Sequence, residues 1–318
     1  MKQLTTRAYN KISRKPLLST LVKESSTTRL ANEINYYNEI SKTKALPAFC
    51  RKIKNYKKND VHYLELEEYP YDDLGRQMVT ENMAPREIGR KWESIASRLD
   101  ELLTFFASQR TEAEQAQACR EYMYTEKTEK YYSELVENFK IFKFLEKQDH
   151  LLINNQKLLG FKKIWRGIKQ SLNENFINSK PLSIIHGDLC FSNILYSGRG
   201  QVVRLIDPRG SFGSSTIFGD PLYDLAKLSH SYRGRYEYLI SDRFTIAHHG
   251  NEISFRYANK NAVYINEEFL NFKKFKDPRV KVIEGLIFIG MCSRHYDSMD
   301  RQLAMYGTAL ELLNDCVS

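Results

Sequence analysis

Residues 183–210, SIIHGDLCFSNILYSGRGQVVRLIDPRG, decide how this chain is read. Two short apolar runs, 183–185 and 202–206, stop at His186 and Asp207, and a polar loop holding Asp188 and Asn193 lies between them. Apolar runs of this length closed by polar residues predict strands, so the segment reads as strand, loop, strand with its chemistry at the turns. Asp188, Asn193 and Asp207 are all hard oxygen donors. One carboxylate to orient and deprotonate an attacking hydroxyl, with an amide oxygen and a second carboxylate to hold a divalent cation, are the parts phosphoryl transfer requires.

Asp188 and Asn193 stand five apart, the spacing of a kinase catalytic loop. His186-Gly187-Asp188-Leu189, Asn193-Ile194-Leu195, Ile206-Asp207 and Gly219-Asp220-Pro221-Leu222-Tyr223-Asp224-Leu225-Ala226 follow in order over about forty residues. Any one of these is a weak signal, but together the chain resembles the aminoglycoside phosphotransferase and choline kinase group, relatives of the protein kinases. The resemblance implies an α+β, protein-kinase-like fold of two lobes. A small N-terminal β-sheet lobe with one helix is expected over residues 1–70, and a larger, mainly helical C-terminal lobe over 71–318. It further implies ATP or GTP and Mg2+ as cofactors, with Asp188 catalytic, Asn193 and Asp207 on the metal, and His186 securing the loop by hydrogen bonds. Asp220 and Asp224 resemble the acidic pair that braces the loop and lines the substrate entrance, and Asp220 also suits a helix N-cap. Asp207 continues as Pro208-Arg209-Gly210. Arg209 adds a fixed positive charge there, open either to an anionic substrate group or to an acidic neighbour.

Within residues 1–70 a strand is expected over 17–23, and Lys23 at its end resembles the lysine that reaches nucleotide phosphates in this fold. In the following ESSTTRLANEINYYNEI (24–40), Leu30, Ile34 and Tyr37 recur at helical spacing with Glu33 beside them. Glu33 therefore faces inward as the ion-pair partner of Lys23, ahead of Glu39 on the polar side. Residues 61–67 alternate, with Leu64 and Leu66 on one face and Glu65 and Glu67 on the other, which predicts a half-buried strand. Glu67, Glu68 and Tyr69 occupy the place where relatives bond adenine through the backbone. Upstream, Leu4-Thr5-Thr6-Arg7-Ala8-Tyr9 stands where relatives carry a glycine-rich phosphate loop, yet it has no glycine. Phosphate cradling is then weaker, or falls to the Thr5 and Thr6 hydroxyls and the Arg7 charge.

Beyond Pro85, Ile88, Trp92, Ile95, Leu99, Leu102 and Phe106 step by three or four and predict a core helix. Helical patterning returns over 131–145 and 158–176, where Tyr131, Tyr132, Phe139, Phe142 and Phe144 read as packing. Residues 244–247 and 253–257 flank His248-His249-Gly250-Asn251 as a hairpin, and the histidines lack a third ligand at metal spacing. The apolar run 280–291 leads to a last amphipathic helix through Met299, Leu303, Tyr306, Leu310, Leu313 and Val317.

At 318 residues and 42% hydrophobic, the chain can bury real cores. No apolar run approaches the roughly twenty residues that span a bilayer, and no secretory leader is visible, so a cytoplasmic location without membrane partners is expected. Five scattered cysteines read as reduced thiols. The net charge of +9 includes a cluster at Arg51, Lys52, Lys54, Lys57 and Lys58, read as a solvated loop. It lacks the aromatic platform of a nucleic-acid site, so a nucleic-acid partner is not expected. The positive balance disfavours a polycationic acceptor. The leading expectation is a small-molecule kinase acting on a hydroxyl of a small metabolite. The DPRG variant resembles members tied to bacterial capsule and surface-sugar pathways, which points to a sugar or amino alcohol. The alternative is a nucleotide-binding pseudokinase that regulates a partner, favoured by the glycine-free loop and opposed by the intact oxygen donors.

Overall fold

The structure is a computed structural model, and its described residues are 3–4, 11–80, 85–111, 116–175, 181–198, 201–258 and 273–316. The N-terminal part is an antiparallel sheet of β1 (Gln3–Leu4), β2 (Lys11–Lys15), β3 (Thr20–Ser25), β4 (Lys52–Lys58) and β5 (Val61–Glu67), in the order β1-β2-β3-β5-β4. One helix, α1 (Thr28–Ile40), follows β3 and buries Leu30, Ile34, Tyr36, Tyr37 and Ile40. The strand expected over 17–23 starts later. Pro16 opens a 3-10 turn and Ser19 is left-handed at φ 48°, which leaves Leu17 wholly exposed and moves the extended segment to Thr20–Ser25. Lys23 lies opposite Leu64 of β5 and stays inside. Thr5, Thr6 and Arg7 of the glycine-free segment fall outside the described residues.

The basic cluster is a strand, not a loop. Lys52, Lys54, Lys57 and Lys58 run along β4 at the edge of the sheet, where charge discourages pairing with a further strand. Cross-strand stacking of Tyr56 on Tyr63, centroids 4.6 Å apart, gives the strand a reason to form that a count of lysines does not show. Glu65 is also buried, because Thr20 donates to it at 2.9 Å while Lys15 and Lys54 lie at 3.0 and 3.6 Å.

The remainder is mainly helical. It begins with α2 (Leu74–Thr80) and α3 (Pro85–Ser108), whose apolar stripe buries as expected except that Leu103 takes the fully covered place expected for Leu102. Next come α4 (Ala116–Arg120), a π-helical stretch Glu121–Glu126, α5 (Lys127–Asn138) and α6 (Lys140–Leu145). A hairpin of β6 (Leu151–Ile153) and β7 (Gln156–Leu158) takes Leu158 out of the expected helix, which starts as α7 (Phe161–Asn175). The 183–210 segment supplies β8 (Ser183–Ile184), β9 (Ile194–Ser197) and β10 (Val202–Leu205). β9 pairs with β10, and β8 pairs with β11 (Phe218–Gly219).

Then follow α8 (Pro221–Tyr232), α9 (Tyr236–Ile240) and the expected hairpin of β12 (Phe244–His249) and β13 (Glu252–Tyr257), joined to the earlier hairpin in the order β12-β13-β6-β7. α10 (Pro278–Cys292) is buried on nearly every side between α5, α8 and α11 (Met299–Asn314). Val317 of the expected final stripe lies outside the described residues. No helix among them is long and apolar enough to cross a membrane. A continuous apolar core joins sheet and helices, and Phe49 marks the seam: its ring meets Tyr36 and Tyr37 of α1, Phe106 of α3 and His186.

Candidate functional site

The loop after β8 is fixed from several directions. Asp224, one turn into α8, accepts from the backbone N–H of His186 at 2.6 Å and of Gly187 at 2.8 Å. Burial pushes its carboxyl up to about 7 against those two donors. The Asp188 N–H donates to His186 Nδ1 at 3.1 Å, so the other ring nitrogen carries the proton and donates to the Ile206 carbonyl at 2.8 Å. Burial lowers the imidazole to about 4, which keeps it neutral in this role. Asn193 Nδ2 donates to the Asp188 carbonyl at 2.8 Å, and Ser231 of α8 holds the Phe191 N–H at 3.0 Å. Gly187 is at φ +77°, and a Cβ there would meet the Phe212 ring at 2.1 Å, so no other residue fits.

Held this way, the Asp188 side chain faces the cavity with 40% of its surface exposed, 2.9 Å from the Nζ of Lys227. Burial opposes its ionisation, but Lys227 and Arg209 outweigh it and hold the carboxyl well below the usual carboxylate range. Lys227, on α8 and almost wholly buried, is lowered by burial yet raised on balance by Asp188. Sequence reasoning missed Lys227. Its position, one turn after Asp224 on the face that braces the loop, was the only available signal.

Asp207 closes β10 in the left-handed region at φ +57° and is ion-paired with Lys23. Lys23 also donates to Glu33 Oε1 at 2.7 Å, so the pair expected between β3 and α1 forms and extends to Asp207. Gly210, at φ +68°, packs so closely on α1 that a Cβ would lie 2.0 Å from the Asn32 carbonyl oxygen, one residue before Glu33. In the expected adenine-contacting segment, the N–H groups of Glu67 and Glu68 donate to the carbonyls of Arg51 and Ser19, and the Tyr69 hydroxyl lies 3.3 Å from Glu67. The guanidinium of Arg204 covers the Tyr69 ring.

Asp188, Asn193, Asp207 and Arg209 line one cavity of about 460 Å³, roofed by Ile12 and walled by α5, α8 and α10. Asp220 and Asp224 do not line it, contrary to expectation. Both are buried behind the loop, where Asp220 caps α8 by accepting from Leu222 N–H at 3.0 Å and pairs with Arg120 at 2.7 Å. Capping and bracing draw these carboxylates away from the opening. Tyr131, read as packing, lines the cavity, as do Lys127 and Arg294. Arg209 faces the cavity, donating to the Tyr223 hydroxyl at 3.2 Å; it makes no ion pair with a carboxylate among the described residues but acts on Asp188 through space, so an acidic neighbour and the cavity both claim it. Asn193 Oδ1 and the Asp207 carboxylate are hard oxygens of the kind Mg2+ prefers, so the donor set fits that ion.

No curated protein sequence matches the chain. Among solved structures it is similar to aminoglycoside phosphotransferase APH(4)-Ia at TM-score 0.57 and 11% identity, covering 98% of this chain and 92% of that one. It is similar too to a thermostable mutant of that protein in ternary complex with AMP-PNP and hygromycin B, at TM-score 0.55 and 11% identity over 100% and 94% of the two chains. At such identity these likenesses establish the protein-kinase-like fold. The phosphotransferase enzyme family (APH) matches residues 22–249. That span is well over half the chain and takes in the 186–193 loop with the groups that hold it, so the chain belongs to the phosphotransferase enzyme family.

Proposed function

We propose that the protein is a small-molecule kinase that moves the terminal phosphate of ATP, or GTP, to a hydroxyl of a small acceptor. Residues 1–70 cover the nucleotide in this reading, while 71–318 carry the transfer and acceptor sites. The observation that supports it most is the half-exposed Asp188 carboxylate, which shares one cavity with Asn193 and Asp207. The acceptor oxygen attacks the γ-phosphorus and forms the new P–O bond. The bond to the bridging oxygen breaks, and the nucleoside diphosphate leaves with that electron pair.

Asp188 accepts a hydrogen bond from the acceptor hydroxyl, aims its lone pair, and takes the proton as the new bond forms. So strongly ionised a carboxylate orients more than it deprotonates in the ground state. Mg2+, when bound, supplies the charge that neutralises the triphosphate, and Asn193 and Asp207 are the residues to hold it. Lys23, anchored by Glu33, is the sheet's cation for the phosphates, and of the N–H groups in residues 67–69 the one at Tyr69 is left for the base, those of Glu67 and Glu68 being engaged within the sheet lobe. A sugar or sugar-like alcohol leads the acceptors, and the cytoplasm supplies the nucleotide.

The test is magnesium-dependent ATP consumption over a panel of sugars, amino alcohols and aminoglycosides, run beside Asp188→Asn and Asp207→Ala. Turnover that both variants lose while still folded supports the reading. Nucleotide binding without turnover on any acceptor would point instead to a regulatory pseudokinase.

A further inference from the structure

Five cations line the cavity, namely Arg29, Lys127, Arg209, Lys227 and Arg294, against two carboxylates, Asp188 and Asp207. Lys227 is matched to Asp188. Lys127, Arg209 and Arg294 have no carboxylate within ion-pair distance among the described residues. Each is half-buried and rests on a tyrosine instead. Arg209 and Lys127 both reach the Tyr223 hydroxyl, at 3.2 and 3.5 Å, and both lie over its ring, at 5.5 and 5.6 Å from the centroid. Arg294, just past the end of α10, lies 4.5 Å over the Tyr131 ring and bonds its hydroxyl, while its Nε is buried without a hydrogen-bond partner.

A phenol is a poor counter-charge for a guanidinium or an ammonium. The arrangement therefore brings like charges together with no direct carboxylate partner, and Asp188, already paired with Lys227, offsets Arg209 and Lys127 only in part. The strain shows at Lys127, which burial and then repulsion from Arg209, Arg294 and Lys227 hold well below the usual lysine range. A solvated face would let such side chains spread apart. Here three separate elements converge them on one opening beside Asp188.

We infer that the acceptor carries an anionic oxygen group, a carboxylate or a phosphate, besides the hydroxyl that is phosphorylated, and that Lys127, Arg209 and Arg294 bind that group. The inference rests on the kinase reading of the same cavity. An oxyanion here meets two forked guanidinium groups and an ammonium, and relieves their mutual repulsion. A polycationic acceptor meets that repulsion instead.

The experiment fills the nucleotide site with Mg2+ and AMP-PNP and titrates inorganic phosphate, glucuronate, glucose 6-phosphate, glucose and kanamycin by calorimetry at constant ionic strength. At least one anionic probe is expected to bind about tenfold or more tightly than glucose or kanamycin. The better of glucuronate and glucose 6-phosphate tells carboxylate from phosphate. Lys127→Gln and Arg294→Gln, each checked for native circular dichroism, are expected to erase that preference and leave AMP-PNP affinity unchanged; Arg209→Gln is the reserve if either fails to fold.

Absence of saturable anion binding overturns the inference, as does equal binding of glucose or kanamycin. So does a loss in these variants that falls on AMP-PNP, which would assign the cations to the triphosphate. Anion binding without turnover on any acceptor sinks the kinase reading alone, and turnover on neutral acceptors without anion binding sinks this inference alone.

Discussion

Asp188 is the base of the proposed transfer, and its state is set by a neighbour 39 positions away. Partial burial alone would raise the proton affinity of this carboxyl; Lys227 at 2.9 Å and Arg209 outweigh that. Because activity requires the carboxylate and its proton affinity is depressed, its titration lies below the working range. Wild-type kcat/KM should therefore show no acid limb from Asp188 between pH 5 and 8. Lys227→Met removes the main counter-charge while burial remains, so Asp188 shifts upward and an acid limb enters the measured range. A pH profile identical to wild type in a folded Lys227→Met variant would remove Lys227 from this role. Asp188→Asn keeps the shape but loses the charge, and should cut kcat by about 10²- to 10⁴-fold with nucleotide Kd unchanged, as read by single-turnover kinetics and calorimetry.

At the scale of elements, the site is a loop pinned between α1, α8 and β10, and Gly210 sets how closely the segment after β10 approaches α1. Gly210 abuts the Asn32 carbonyl of α1 in the left-handed region, where a Cβ would be both disfavoured and 2.0 Å from that oxygen. Gly210→Ala must push the DPRG segment off α1, and with it the Lys23–Glu33–Asp207 chain of charges. It should cost about 1–3 kcal/mol of stability and raise the KM for ATP, read from chemical denaturation and steady-state rates. A variant with unchanged stability and KM would mean that the loop and helix move independently.

These elements were also the legible ones. His186, Asp188, Asn193 and Asp207 sit in a short segment whose spacing is visible in the sequence, and the apolar stripe of α1 by itself turns Glu33 inward. What the sequence hid is scattered. Lys127, Lys227 and Arg294 come from three helical regions, and no local pattern marks a cation that will face a cavity. Likewise β4 reads as a charged loop because its support is cross-strand, through Tyr56 on Tyr63, and β7 is too short to interrupt a helical pattern convincingly.

Over the whole molecule, the contacts between the sheet and the helical part include the Phe49 ring cluster and the charge chain in which Lys23 touches both Glu33 and Asp207. Lys23 and Glu33 are each about 5% exposed, so removing Lys23 leaves Glu33 as an uncompensated buried charge. Lys23→Met should destabilise the unliganded protein by about 3–5 kcal/mol. The same lysine is also the proposed phosphate contact, and a double variant separates the two roles. Lys23→Met with Glu33→Leu replaces the pair by apolar groups and should recover most of the lost stability. Mg-ATP at about a hundred times its Kd stabilises the wild type by about 2.7 kcal/mol through linkage, and this gain should stay absent in the double variant. Denaturation with and without nucleotide measures both quantities. If the double variant regains the nucleotide-dependent gain together with its stability, Lys23 is a strut between the two parts and the phosphates are held elsewhere.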